Sequence, residues 1–432
     1  TGTNTALSLD LDSTGAITNA ANASLAVTNT ADLNGSSITL GDQAGDSMNF
    51  GNLTVTSAGT VGIAEDSATE LTGTNTALSL DLDSTGAITN AANASLAVTN
   101  TADLNGSSIT LGDQAGDSLN FGSLTVTSAG AVSVAEDSDM LVELISAGAS
   151  AVALSSTGQI NDHVDDTVVD IVTSGQINLT AVGGIGNGPT GAIDLADAAQ
   201  INATVSGNGD VVLNGTGTIT SLDITVKNGT ADVTAKNNVT LKTVDADVID
   251  ITSTHGSIVA SSSATSISAQ TSISLSAGVD IGENGSTLNF TLPSSADLTQ
   301  SLLSAQGSIY LSRAATTLAD GFGQVDGEVI SLLANDALSS GLNEFLIELV
   351  AIDEALFSEF VTIFDVMDDG LKLPEDQQED EFVYINNGDR VIGTLRLNSQ
   401  FMHLFNTWQK YGAVFSVQAQ KTSNFTDKDA LI

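Results

Sequence analysis

The sequence predicts a mainly β protein, a right-handed parallel β-helix with a C-terminal helical cap and a small α+β tail. Three observations carry this: a 71-residue unit is written twice, apolar residues alternate in short runs, and glycine recurs ahead of many runs. Residues 1–67 return as 72–138 with five differences, Met48/Leu119, Asn52/Ser123, Thr60/Ala131, Gly62/Ser133 and Ile63/Val134. Each keeps size class or polarity, so the two copies are expected to fold alike.

Within one copy the apolar positions are Leu7, Leu9 and Leu11, then Leu25 and Val27, Ile38 and Leu40, Leu53 and Val55, Val61 and Ile63. Period two over short runs, broken by Gly, Asn and Asp, reads as strand and turn. The regular spacing of these short runs matches the faces of a stacked coil better than a sandwich with long strands. Beyond residue 138 the copy decays, but Gly, any residue, Ile or Val, any residue, apolar persists as "GQINL" from Gly175, "GAIDL" from Gly191, "GDVVL" from Gly209, "GSIVA" from Gly256 and "GSIYL" from Gly307. One turn of such a coil takes roughly 16 to 24 residues, with strands stacked about 4.8 Å apart.

Composition narrows the class. Aromatics are 4% and charged residues 14% of the 432 residues, too few for a large globular core of bulky side chains, while 41% hydrophobic residues argue against disorder. The formal net charge of -42 repels nucleic acid and anionic lipid, which need Lys or Arg against phosphate, and the first basic residue is Lys227. With no cysteine, thiol chemistry, zinc-thiolate sites and disulfides are excluded. No signal peptide and no apolar run long enough to span a membrane is found. Thr1 already lies inside a repeat, so the chain reads as a processed or truncated piece.

The runs "SGQINLTAVGGIG" at 174–186 and "GNLTVTSAGTVGI" at 51–63 resemble the repeats of filamentous-haemagglutinin-like exoproteins and related bacterial surface proteins. The resemblance covers about residues 1–313. It implies a right-handed parallel β-helix, export to the cell surface, and a role as adhesin, matrix protein or surface-layer component. The amino-terminal secretion domain of two-partner exoproteins is not part of this stretch.

Near residue 320 the composition shifts: ten of the thirteen Phe, the only Trp and six of the ten basic residues follow it. The expected domains are a parallel β-helix over 1–320, a helical capping segment over 321–373 and an α+β assembly domain over 374–432. Leu342, Phe345, Leu346, Leu349, Val350, Leu356, Phe357, Phe360, Val361 and Phe364 have helical spacing. In the tail, 382–397 reads as a hairpin turning at Asn387 and Gly388, and Phe401, Leu404, Phe405, Trp408 and Tyr411 as one helix stripe. Phe405, Trp408 and Tyr411 are the candidate assembly contacts.

The residue pattern favours no enzyme. Sugar-cleaving β-helices pair carboxylates in an aromatic-lined groove, often beside Lys or Arg. Up to Val226 there is no Lys or Arg, and Phe50 and Phe121 are the only aromatics. His163, His255 and His403 lie far apart in sequence, and His163 in "NDHVDD" reads as a solvated turn more readily than a metal-adjacent imidazole. The Thr-x-Thr pairs are too scattered for an ice-binding ladder and reflect strand propensity.

Calcium is the cofactor considered. Asp10, Asp12, Asp42 and Asp46 recur as Asp81, Asp83, Asp113 and Asp117, and Glu65 with Asp66 as Glu136 with Asp137. Stacked turns can bring such carboxylates within reach of one ion. The calcium β-roll nonapeptide is absent.

The function expected is a structural subunit of a secreted bacterial cell-surface filament, sheath, surface layer or matrix. The partner is the chain itself, head to tail, with no nucleic acid and no membrane-spanning segment. The alternative is an adhesin binding an extracellular glycan or cell-surface receptor.

Overall fold

The computed structural model describes residues 2–164, 166–188, 191–197, 199–262, 265–283, 288–291, 302–313, 324–326, 329–334, 345–350, 382–387, 390–396 and 414–419. The chain divides into two compact units, Thr1–Val233 and Thr234–Ile432.

The first unit is a parallel β-solenoid. Among the described residues its strands pair in parallel, each with the segment about a turn later, as in Leu11 beside Leu33 and Leu33 beside Val55. The alternation seen in the sequence is the reason. The strand Ser47–Ser57 sends Met48, Phe50, Leu53, Val55 and Ser57 inward and leaves the intervening residues outside. Burying a Leu, Ile or Val in such a bore stabilises by about 1.5–3 kcal/mol. Stacking like on like lines them into ladders, for example Ile17, Ile38, Val61, Leu80, Ala102 and Leu124.

The long strands Ser24–Gly35 and Ser95–Gly106 each serve two faces, and their pairing slips between Val27 and Thr30 and between Val98 and Thr101. At the corner after Leu40 stands Gly41 with φ 76°, where a Cβ would collide with the carbonyl oxygen of Ala64. Gly112, φ 75°, repeats this against Ala135. A left-handed corner beneath the next turn's carbonyl admits only glycine.

The two copies do not sit on the same faces. Asn34 pairs with Thr56, Thr56 with Thr76 and Thr76 with Ala97, so three turns take 63 residues, 21 apiece. The copy of Asn34 is Asn105, eight residues further, and the 71-residue unit is therefore three turns plus about one face. Accordingly Leu104, the copy of Leu33, stacks in line with Leu40, Ile63 and Leu82 and not with Leu33.

This offset is absorbed where the copies join. Leu53 pairs with Leu71 and Thr56 with Thr76, so the later turn carries two extra residues across that span. The bulge takes Val55 out of the regular ladder, and Asn75, fully buried, replaces the missing partner. Its Oδ1 accepts the Val55 N–H at 2.9 Å and its Nδ2 donates to the carbonyls of Thr72 and Ser95, both at 3.1 Å.

The second unit continues with parallel pairing, Ile249 beside Ile273, Leu275 beside Leu303 and Ile309 beside Ile330. It then changes character. Phe345–Val350 runs antiparallel to Val329–Ala334, and Val414–Ala419 antiparallel to Phe345–Val350. This corrects the expected helix: of 342–364, the six described residues form a strand, and the rest lie outside the described residues. Phe, Ile and Val suit a strand as well as a helical stripe, and the unpaired edge of Val329–Ala334 supplies hydrogen bonds that a helix would leave unmade. Phe382–Asn387 and Arg390–Arg396 form an antiparallel hairpin, with Asn387 paired with Arg390. Among the described residues no helix is long and apolar enough to cross a membrane.

Candidate functional site

The described residues bring three acids together in one place, Asp162, Asp170 and Asp194. Asp162 ends the strand Gln159–Asp162, Asp170 directly precedes Ile171–Thr173, and Asp194 is the middle of Ile193–Leu195. Between the first two the ladder is interrupted, since Val142 pairs with Asp162 but Ile145 with Ile171, and Val164 and Val168 are exposed. The His163 N–H donates to Val142 O at 2.8 Å at the start of this interruption, and the Ile145 N–H donates to Asp170 O at 2.6 Å where it ends. The turn length sets the third acid: Ile171 pairs with Leu195, which lays Asp194 beside Asp170.

The geometry is tight. One carboxylate oxygen from each acid lies within 4.8 Å of the others, and the residues are 4%, 2% and 5% exposed. Asp170 and Asp194 are joined by two bonds, the Asp170 N–H donating to Asp194 O at 2.9 Å and the Asp194 N–H to Asp170 Oδ2 at 2.7 Å, and Asp162 Oδ1 accepts the Val164 N–H at 3.0 Å. Burial first, then the charges of Asp162 and Asp194, push the Asp170 carboxyl up to about 8. Burial likewise raises Asp162. Carboxylates this close in a dry setting cannot all ionise; they share protons or surround a cation. The cluster can therefore hold a metal ion.

The acids expected to bind calcium are placed otherwise. Asp10 and Asp12 are exposed on Leu9–Asp12, with Asp10 beside Asp32 in the next turn and Asp12 Oδ1 accepting Asn34 Nδ2 at 2.9 Å. Asp81 and Asp83 are likewise exposed, with Asp81 beside Asp103 and Asp83 beside Asn105 in the next turn. Partial burial, then the neighbouring acids, raise the carboxyls of Asp32, Asp81 and Asp103. Asp42 and Asp113 are exposed.

Asp46 braces its own loop, accepting from Asn19 Nδ2 at 2.7 Å, the Ala23 N–H at 3.0 Å and the Gln43 N–H at 3.1 Å, and the Asn19 bond foremost holds its carboxyl below the usual range. Asp117 takes the same role with Asn90 and Gln114 at 2.8 and 3.0 Å. None of the eight belongs to the three-acid group. His163 Nδ1 stands 3.9 Å from Glu143 Oε2. Phe405, Trp408 and Tyr411 lie outside the described residues.

Glu65 and Glu136, grouped in the sequence with the acids considered for calcium, face inward. Their parity shows it: Val61, Ile63 and Glu65 alternate in one strand, as do Val132, Val134 and Glu136 in the other. The signal for the Asp cluster is weaker. "NDHVDD" marked the interruption, but nothing in the spacing brings Asp170 and Asp194 to it, because that depends on the length of a turn.

Fold and site define the chain as a mainly β parallel solenoid with a buried acidic cluster. No family model, no curated protein and no solved structure matches it.

Proposed function

We propose that this chain is a structural subunit of a secreted bacterial cell-surface filament, sheath, surface layer or matrix, associating with itself head to tail through its ends. The observation that supports this reading is the near-identical pair of copies on continuous parallel ladders: each copy adds three turns and a face by repeating bonds already made. Such a unit lengthens a body without needing a new core. We take the coil to be right-handed, as parallel crossovers almost always are. The net charge of -42 suits a hydrated extracellular surface. Phe405, Trp408 and Tyr411 are proposed as the end contact, and calcium, which favours carboxylate oxygens, as the ion for Asp162, Asp170 and Asp194. The role is mechanical and needs no catalysis.

The test is electron microscopy and sedimentation of the purified chain over a wide concentration range, with a Trp408→Ala variant beside it. Filaments or lattices that the variant weakens support the proposal. A chain that stays monomeric at high concentration while binding glycan arrays overturns it in favour of an adhesin.

A further inference from the structure

The two copies contain a natural substitution experiment. In the first, Glu65 is buried and both its oxygens are bonded: Oε1 accepts from the Phe50 N–H at 2.8 Å and Ser67 Oγ at 2.9 Å, and Oε2 from Thr69 Oγ1 at 2.5 Å. In the second, Glu136 is 2% exposed and Oε1 is held identically, by the Phe121 N–H at 2.8 Å and Ser138 Oγ at 3.0 Å. The copy ends at Ser138, and the position of Thr69 is taken by Met140. Met140 is fully buried and has no hydroxyl, and Glu136 Oε2 has no hydrogen-bond partner.

The charges around Glu136 offer no relief. Asp137 and Asp139 on its own segment are both negative and raise its carboxyl further. The neighbouring strands Ser108–Leu111, Ser118–Ser128 and Val152–Ser156 carry no titratable residue. Glu143, on Met140–Gly148, is exposed and within 3.3 Å of Ser123 Oγ. No Lys or Arg precedes Lys227.

We propose that Glu136 is a proton-operated weak point in the solenoid: with its proton the turns around it close tightly, and without it they carry a buried charge with one oxygen unbonded and open more often. Burial, ahead of every other cause, moves this carboxyl from 4.5 to about 7. The folded state therefore keeps a proton that the opened state releases. The stabilisation is complete below about pH 4.5 and is lost as pH rises to about 7, a change on the order of a few hundredfold in the opening equilibrium. A surface body built this way stiffens in mild acid and yields at neutral pH without any ligand.

The test is native-state hydrogen exchange, corrected for the intrinsic pH effect, on amides of 119–126 and 132–136, at about pH 5 and about pH 8. The whole chain is used in four forms: wild type, Glu136→Gln, Met140→Thr and Thr69→Met. Wild type should open roughly seventyfold more readily at the higher pH. Glu136→Gln should flatten that dependence, and Met140→Thr, which restores the missing donor, should reduce it. Burial already raises the Glu65 carboxyl against the pull of its three bonds, so Thr69→Met should enlarge the pH dependence at residues 48–55 and 61–65. An unchanged pH dependence in Glu136→Gln overturns the proposal, as does Thr69→Met leaving the pH dependence of Glu65's turns at its wild-type size. Both results are independent of whether the chain forms filaments.

Discussion

Replacing Asn75 with Ala tests the junction between the copies. Asn75 makes three hydrogen bonds, and the substitution removes the acceptor of the Val55 N–H and one donor each from the Ser95 carbonyl and the Thr72 carbonyl, which keeps Thr54 Oγ1 at 2.9 Å. An unpaired buried backbone group costs about 1–3 kcal/mol, so the orphaned Val55 N–H and the weakened carbonyls together are expected to cost about 3 kcal/mol. The control is Asn4, the same residue of the first copy. It is exposed and donates to the Gly2 and Ser24 carbonyls at 3.2 and 3.4 Å. Asn4→Ala should stay within about 0.5 kcal/mol.

The assay is exchange of the Val55 amide. Solenoids can open locally, so a global denaturant midpoint alone would blur the effect. A loss of about 3 kcal/mol appears as roughly a hundredfold faster exchange at Val55 in Asn75→Ala. If Asn75→Ala and Asn4→Ala changed Val55 exchange equally, the junction would not depend on the asparagine, and the offset between the copies would have to be absorbed elsewhere.

Three further outcomes are expected. Asp170→Asn should raise the melting temperature at about pH 9 and leave it unchanged near pH 3.5. The raised Asp170 carboxyl stabilises the fold below its unfolded value of 3.8, and that contribution is lost as pH climbs through about 8. Gly41→Ala and Gly112→Ala should each destabilise by about 2 kcal/mol or more in chemical denaturation, since both need φ near 75° and a Cβ meets a carbonyl of the next turn. Calcium added at about pH 8 should raise the melting temperature, and Asp194→Asn should abolish that gain; no shift between calcium and EGTA would count against the ion proposed for the cluster.

How much of this was legible in the sequence depends on distance along the chain. Alternation within a strand is local, so the inward placing of Ile38, Val55 and Ile63 could be read directly, and so could the stacked architecture. Counting the same parity two residues further would have placed Glu65 and Glu136 inside. The Asp162, Asp170 and Asp194 site could not be read this way. It forms because the turn from 171 to 195 takes 24 residues where the turns of the first copy average near 21, and turn length is set by corners and excursions that leave no periodic trace. The strand at Phe345–Val350 escaped the sequence reading for a related reason: its pattern fits two geometries, and a distant edge, Val329–Ala334, decided between them.

The offset between the copies governs what such a body presents to its surroundings. Any motif written once per copy, such as Asp10 and Asp12 or the loop at 41–46, points about a third of a revolution away from its twin at Asp81 and Asp83 or 112–117. A flat receptor or mineral face would meet one twin and miss the other. A longer array would bring a motif back to the same azimuth only after about ten turns, about 48 Å of rise. The two copies thus mark two different sides of the coil.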